Sequence, residues 1–311
     1  MRQLSIKGKI TNASEIALGM MRISDMRLKD IDELVKVALD NGINFFDHAD
    51  IYGKGKSEEM FADAIGMNPQ IREKFIIQTK CGIRNGFFDF SKEHILNSVD
   101  GSLKRLQTDY IDVLLLHRPD TLMEPEEVAE AFDRLKKSGK VKFFGMSNQK
   151  PYQIKLLQKY LAQVDIEIII NQLQLSLTNT GMIDSGLNVN MKNANSIDHD
   201  GDILEFCRLK EITIQPWSPF QYGFFDGPFL GNSEKFPKLN EVIDKYAEQY
   251  NVTNSAMAIA WLLRHPAKMQ PIVGSTNKTR VAEICKASEV GANMTRQEWY
   301  DIYQSAGNTL P

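Results

Sequence analysis

The chain has 311 residues, 42% hydrophobic and 25% charged, an ordinary globular composition long enough to bury a large core. A formal net charge of -3 removes the electrostatic case for non-specific binding to nucleic acid or to an anionic membrane, so any site for a charged ligand must be local. No early apolar run reaches signal-peptide length and no window reaches the length of a membrane span, which makes a cytoplasmic location the expectation.

In chain order, residues 4–6 and 9–11 flank Lys7-Gly8 and are expected to form a short hairpin. Residues 17–21 read as the first core strand. Ile31, Leu34, Val35, Ala38 and Leu39 fall on one helical face, and Asn41-Gly42 is the left-handed stop that ends it. The alternation then repeats. Residues 43–46 read as strand, 58–65 as helix and 75–79 as strand, followed by a helix carrying Ile95, Val99, Leu103 and Leu106 behind a Ser91 N-cap. Residues 111–116 form an uninterrupted apolar run, the type of strand covered on both faces. Pro125 opens the next helix and Gly139 ends it. Further strands are expected at 141–146, 166–170, 212–214 and 270–273, with helices centred on 154–161, 203–210 and 256–263.

This gives eight strand-helix units with no Pro- or Gly-rich linker between them, so residues 1–311 are expected to fold as one (β/α)8 barrel domain with an N-terminal hairpin. Two stretches break the rhythm. Residues 176–200 are rich in Asn, Gly and Ser, while residues 217–236 mix Gly, Pro and aromatics and are the better candidate for a lid. Cys81, Cys207 and Cys285 contain no CxxC pair and read as core thiols rather than disulfide or zinc ligands.

In a parallel barrel the C-terminal strand ends meet at one rim. Here they bring together Asp47, Lys80 and His117, with Tyr52 on the loop after the second strand. A nearby ammonium favours the ionised form of a phenol, so Lys80 is expected to lower the pKa of Tyr52 while Asp47 keeps Lys80 charged. His117 would polarise or orient a carbonyl oxygen beside the phenol. The four together suit protonation of an oxygen while something else attacks its carbon. Each has a plainer alternative: Asp47 as a turn cap, His117 as a core histidine, Lys80 as a snorkelling lysine. Their joint occurrence at strand ends decides for chemistry. His48 and Asp50 are set aside because alternation turns His48 away from Asp47.

The other strand ends read as a ligand cradle. Ser147-Asn148, Asn171-Gln172 and Trp217-Ser218 suit a planar ring bearing a carboxamide. Gly274-Ser275-Thr276 leads to a helix with Lys278 and Arg280 in its first turn, which suits phosphate. No GxGxxG follows a strand, which disfavours a Rossmann dinucleotide site.

These residues resemble the aldo-keto reductase family over nearly the whole chain. The matching segments are Phe46-Asp47-x-Ala49-x-x-Tyr52-Gly53, Lys80, Leu116-His117-x-Pro119-Asp120, Phe144-Gly145-Met146-Ser147-Asn148, Asn171-Gln172, Trp217-Ser218-Pro219 and Ile272-x-Gly274-Ser275. The resemblance implies a (β/α)8 barrel that reduces aldehydes or ketones with NADPH, NADH being the weaker expectation. It implies Tyr52 as acid, Lys80 and Asp47 as its tuning pair and His117 as the carbonyl-orienting group. Ser147, Asn148 and Gln172 would hold the nicotinamide carboxamide and Trp217 would stack on the ring. Ser218, Phe220, Gly274, Ser275, Thr276, Lys278 and Arg280 would hold the phosphates and adenosine end. The sequence departs at His48, where many members have Thr, and at Gly274, where some place a lysine, so the preference for NADPH rests on Lys278 and Arg280. Met20, Met21, Arg22, Asn85, Phe87, Phe88 and the aromatics of residues 217–236 are expected to shape the substrate pocket. Three rivals are a nicotinamide-sensing regulatory subunit, a Schiff-base lyase on Lys80, which the adjacent Asp47 disfavours, and a metal hydrolase, which a central cation and a single strand-end His disfavour.

Overall fold

The computed structural model describes residues 1–224 and 226–311; Phe225, one of the aromatics in the candidate lid, lies outside them. The chain opens with strands β1 (Gln3–Ile6) and β2 (Ile10–Ser14), followed by β3 (Ala17–Gly19), helix α1 (Leu28–Asp40), β4 (Phe45–Asp47), α2 (Lys56–Ile65), α3 (Pro69–Arg72) and β5 (Ile76–Cys81). Next come α4 (Lys92–Leu106), β6 (Ile111–Leu116), α5 (Pro125–Lys137), β7 (Val141–Ser147), α6 (Pro151–Leu161), β8 (Ile168–Gln174), α7 (Gly181–Leu187), α8 (Ile203–Leu209) and β9 (Thr213–Trp217). The chain ends with α9 (Pro237–Gln249), α10 (Asn254–Arg264), β10 (Ile272–Val273), α11 (Lys278–Ile284), α12 (Ala287–Asn293) and α13 (Arg296–Ser305).

Strands β3 to β10 form an eight-stranded parallel sheet in the order β10-β3-β4-β5-β6-β7-β8-β9. The Gln270 N–H donates to Ile214 O at 3.0 Å and ties β10 back to β9, so the sheet closes on itself. Every residue of β5 and β6 is buried, because barrel interior and helical sheath cover the two faces of these apolar runs. The antiparallel β1-β2 hairpin caps the barrel floor: Leu4, Ile6, Ile10 and Ala13 pack with Ala17, Phe45, Ile76, Val113, Ile169 and Ile272 from the strand starts. The polar end is thereby left at the opposite rim.

The local signals act as their chemistry requires. Gly42 ends α1 with φ 86°, Ser91 Oγ accepts from the His94 N–H at 3.3 Å, and Pro125 opens α5. Cys81, Cys207 and Cys285 are buried free thiols. Several strand bounds differ from expectation. β5 runs on to Cys81 and β8 to Gln174, so Lys80 and Gln172 lie inside their strands rather than at the ends. The last strand is reduced to Ile272–Val273. Helices α3, α7, α9, α12 and α13 add to the expected set. Within residues 176–200, Asp184 Oδ1 accepts from Tyr303 Oη at 2.7 Å and Oδ2 from Thr180 Oγ1, which fastens α7 to α13. Among the described residues no helix is long and apolar enough to cross a membrane.

Candidate active site

Lys80 stands at the centre of the rim and is fully buried. Its ammonium donates to Asp47 Oδ2 (2.8 Å), to the His48 carbonyl (2.8 Å) and to Tyr52 Oη (3.1 Å). An ammonium has three donors, and all three are spent. The phenol oxygen therefore accepts from Lys80, which leaves its own O–H to point at a ligand. The His117 ring stands edge-on to Tyr52, with centroids 6.0 Å apart. The expected tetrad is thus one cluster.

Asp47 is held from its other side by a chain of amides. Gln78 Nε2 (2.6 Å) and Gln172 Nε2 (3.1 Å) both donate to Asp47 Oδ1. Both also donate to Gln215 Oε1, whose own amide passes to Gln270 Oε1 at 2.8 Å. A buried carboxylate with an ammonium on one oxygen and two amide donors on the other is fixed in position and compensated in charge.

Burial opposes the Lys80 charge, but Asp47 and then Tyr52 overcome it and lift the pKa above 10.5. Burial outweighs the expected downward pull of Lys80 on the Tyr52 pKa and leaves it above 10.0. The phenol is consequently held as a proton donor. Burial, reinforced by Lys80 and Arg118, drives His117 well below 6.5, so its ring is neutral at physiological pH.

The loop that carries Tyr52 is anchored from behind. Past the end of β4, the His48 N–H donates to Gln78 O (2.8 Å) and the Asp50 N–H to Lys80 O (3.0 Å), so the chain tracks β5 as far as the loop. A tight turn over Tyr52–Gly55 follows, with φ 57° at Gly53 and 92° at Gly55. A Cβ on Gly53 would stand 2.6 Å from Ser24 Cβ, and one on Gly55 2.9 Å from Arg105 Cδ. Only glycine fits both the conformation and the space. Glu58 is not the exposed first-turn acid that its sequence position suggests. It is fully buried, accepting from Thr79 Oγ1 (2.6 Å) and Arg105 Nε (2.7 Å). Beside it, burial and then Glu58 push the Asp50 carboxyl up to about 7. His48 is buried against Phe61, as alternation implies, and contributes its carbonyl rather than its ring.

A cavity of about 810 Å³ opens above the tetrad. Asp47, Tyr52, His117, Ser147, Asn148, Gln172, Trp217, Ser218, Phe220, Gly274, Ser275, Thr276 and Arg280 line it. Asn148 joins two walls by donating to Ser147 Oγ (2.8 Å) and accepting from Trp217 Nε1 (3.1 Å). Asn148 and Ser218 turn out of their strands at φ 59° and 52°, a conformation rare for side chains other than glycine and common at ligand sites. Lys278 is not in the lining; its ammonium is bonded to Glu33 on α1. Asn171 also faces elsewhere, donating to Gln149 O at 2.9 Å. Of the expected pocket-shaping residues, Met21 and Arg22 line the cavity, while Met20, Asn85, Phe87 and Phe88 do not. The aromatic stretch after β9 supplies a wall through Phe220, Gln221, Phe224 and Pro228.

The donor set fits a nicotinamide dinucleotide. Amides and a hydroxyl stand beside a flat indole at the tetrad, and serine, threonine and arginine stand across the barrel. The only carboxylate in the lining, among the described residues, is Asp47, which is engaged with Lys80. Sequence reading missed Gln78, Gln215, Gln270 and Arg118. Glutamine inside a strand looks like a lapse in an apolar run, and only its alternation with Ile77 and Thr79 marks Gln78 as inward.

The model of the Aldo/keto reductase family matches residues 15–305. The chain is 35% identical to an uncharacterized oxidoreductase, YcsN, of Bacillus subtilis, with 96% of each chain covered. It is 32% identical to a 6-dehydroglucose reductase of Agrobacterium fabrum, with 98% of each covered. Its fold matches that of the thermostable aldo-keto reductase Tm1743, solved with the inhibitor epalrestat, at a TM-score of 0.76 and 22% identity, over 98% of this chain and 100% of that one. With the family model spanning nearly its full length and relatives above 30% identity end to end, the chain belongs to the aldo/keto reductase family.

Proposed function

We propose that this oxidoreductase reduces an aldehyde or ketone to an alcohol with NADPH, NADH being the poorer donor, and that residues 1–311 act as one domain. The observation that carries the reading is the Lys80 ammonium with all three donors spent, one of them on Tyr52 Oη. When bound, the nicotinamide would supply hydride to the carbonyl carbon. Tyr52 gives its proton to the carbonyl oxygen, and the phenolate left behind is stabilised by Lys80 at 3.1 Å. Asp47 keeps Lys80 charged, and neutral His117 orients the carbonyl oxygen by hydrogen bonding.

Ser147, Asn148 and Gln172 would hold the carboxamide, and Trp217 would stack on the ring. Ser218, Phe220, Gly274, Ser275 and Thr276 hold the phosphates and ribose. Glu33 already engages Lys278, so Arg280 is the main cation for a 2′-phosphate, with Lys278 available only by exchange. The test is to follow NADPH loss and alcohol formation with benzaldehyde. One alcohol per NADPH is expected, with a lower kcat/KM for NADH. NADPH binding without alcohol formation counts against the reading and favours a nicotinamide-binding regulatory subunit.

A further inference from the structure

The cavity carries three guanidinium groups, Arg22, Arg118 and Arg280. Two belong to the wall after β10: Arg22 donates to Gly274 O at 2.9 Å, and Arg280 lies in the first turn of α11. Arg118 belongs to the opposite wall. It follows His117 at the end of β6, and in the sheet order β6 lies halfway round the ring from β10. Its backbone therefore lies on the tetrad side of the cavity, and its guanidinium reaches over the cavity to Trp217 and Phe224 of the stretch after β9.

Arg118 differs from the other arginines that are not exposed. Arg72 is paired with Asp112 at 2.6 Å, Arg105 with Glu58 at 2.7 Å, and Arg264 donates to Met294 O at 2.6 Å. Arg118, half-buried, has no hydrogen bond or ion pair among the described residues. It has two ring neighbours instead, its Cζ lying 5.4 Å from the Trp217 centroid and 5.6 Å from that of Phe224. Burial draws its pKa below 12.5 while Tyr52 opposes this, so the guanidinium is partly desolvated and close enough to the phenol to feel it. Ring faces replace only part of what a cation loses with its water, and five N–H donors remain in a planar fork. Among the described residues no acid or carbonyl pairs with it, and it lines the same cavity as Tyr52 and His117.

We propose that Arg118 is a specificity-determining residue and that the preferred substrate is an aldehyde or ketone carrying a carboxylate, which the guanidinium clasps while the carbonyl lies at Tyr52 and His117. The inference rests on the carbonyl-reductase reading above. A carboxylate matches the fork in shape and charge, and among the described residues the only acid lining the cavity is Asp47, which is engaged with Lys80. Held away from the reacting carbon, the anion acts on substrate and transition state alike, so its effect belongs mainly to KM.

The test compares para-carboxybenzaldehyde with its methyl ester, close in size but different in charge; the ester's stronger electron withdrawal makes its aldehyde the more reactive, so a preference for the acid runs against intrinsic reactivity. The wild type is expected to favour the acid by roughly 10–100-fold in kcat/KM, the range of a charge-assisted hydrogen bond. Arg118→Gln is expected to bring this ratio near one, and Arg118→Lys to keep part of it. A wild-type ratio near one overturns the inference, as does a ratio unchanged in Arg118→Gln. Equal losses on acid and ester in Arg118→Gln also overturn it and assign Arg118 to the phenol instead. The two alcohol products, titrated against tryptophan fluorescence with NADP+ present, give a readout without turnover. If neither aldehyde is reduced, the reductase reading fails, yet tighter, Arg118-dependent binding of the carboxylate product still supports the anion site, and its absence overturns it.

Discussion

Replacing Lys80 with methionine keeps an unbranched side chain of similar bulk and removes the charge at the centre of the site. Two quantities follow from the structure. The first is stability. Asp47 is 2% exposed and loses a partner at 2.8 Å while keeping the amide donors of Gln78 and Gln172. Breaking a buried pair from one side costs about 3–5 kcal/mol. The second is rate. A phenolate formed 3.1 Å from the ammonium gains roughly 5 kcal/mol at an effective dielectric near 20, and loss of general-acid assistance costs roughly 10²–10⁴-fold. The single variant is therefore expected to be both less stable and slow. Adding Asp47→Asn removes the stranded charge, so the double variant should regain most of the stability and none of the rate. Urea unfolding and NADPH-dependent turnover at one pH measure both. A single variant within about 1 kcal/mol of wild type, or a double variant no more stable than the single, refutes the reasoning.

Substitutions at three further positions probe the surroundings. Asp50 has a folded pKa of about 7 against 3.8, so the stability its neutral form contributes is present below pH 3.8 and lost as the pH rises through 7. Asp50→Asn should gain on wild type by up to about 4 kcal/mol between pH 4 and pH 8 in denaturation profiles, and parallel profiles would contradict this. Arg105→Met strands buried Glu58 beside Asp50 and should cost about 3–5 kcal/mol, with Arg105→Lys milder; equal unfolding midpoints for Arg105→Met and wild type would refute the anchoring role. Arg280→Gln should raise KM for NADPH roughly 10–100-fold and that for NADH far less, and equal effects on both would remove Arg280 from the 2′-phosphate.

The barrel was legible because its strands are apolar runs covered on both faces and its helices carry apolar stripes, as at Ile111–Leu116 and in α1. Asp47, Tyr52, Lys80 and His117 were legible because strand ends of a barrel converge. What escaped was set by three-dimensional partners. Glu58 sits where a helix start favours an exposed acid, and only the arrival of Thr79 and Arg105 from β5 and α4 makes it internal. The Gln78, Gln172, Gln215 and Gln270 chain joins residues of three strands and of the segment leading into β10 across the barrel. The direction of the Tyr52 shift also escaped, because it is a contest between burial and Lys80 that spacing cannot decide. Asn171 and Gln172 are neighbours in sequence, but the pleat sends one to the cavity and the other to Gln149.

The most direct test of the central claim is single-turnover reduction of benzaldehyde by the preformed NADPH complex of wild type and Tyr52→Phe, with NADPH affinity measured for both. The account predicts equal cofactor affinity and a hydride-transfer rate roughly 10²–10⁴-fold lower in Tyr52→Phe. Equal rates in the two proteins would contradict it, because the proton would then have to come from a group other than Tyr52.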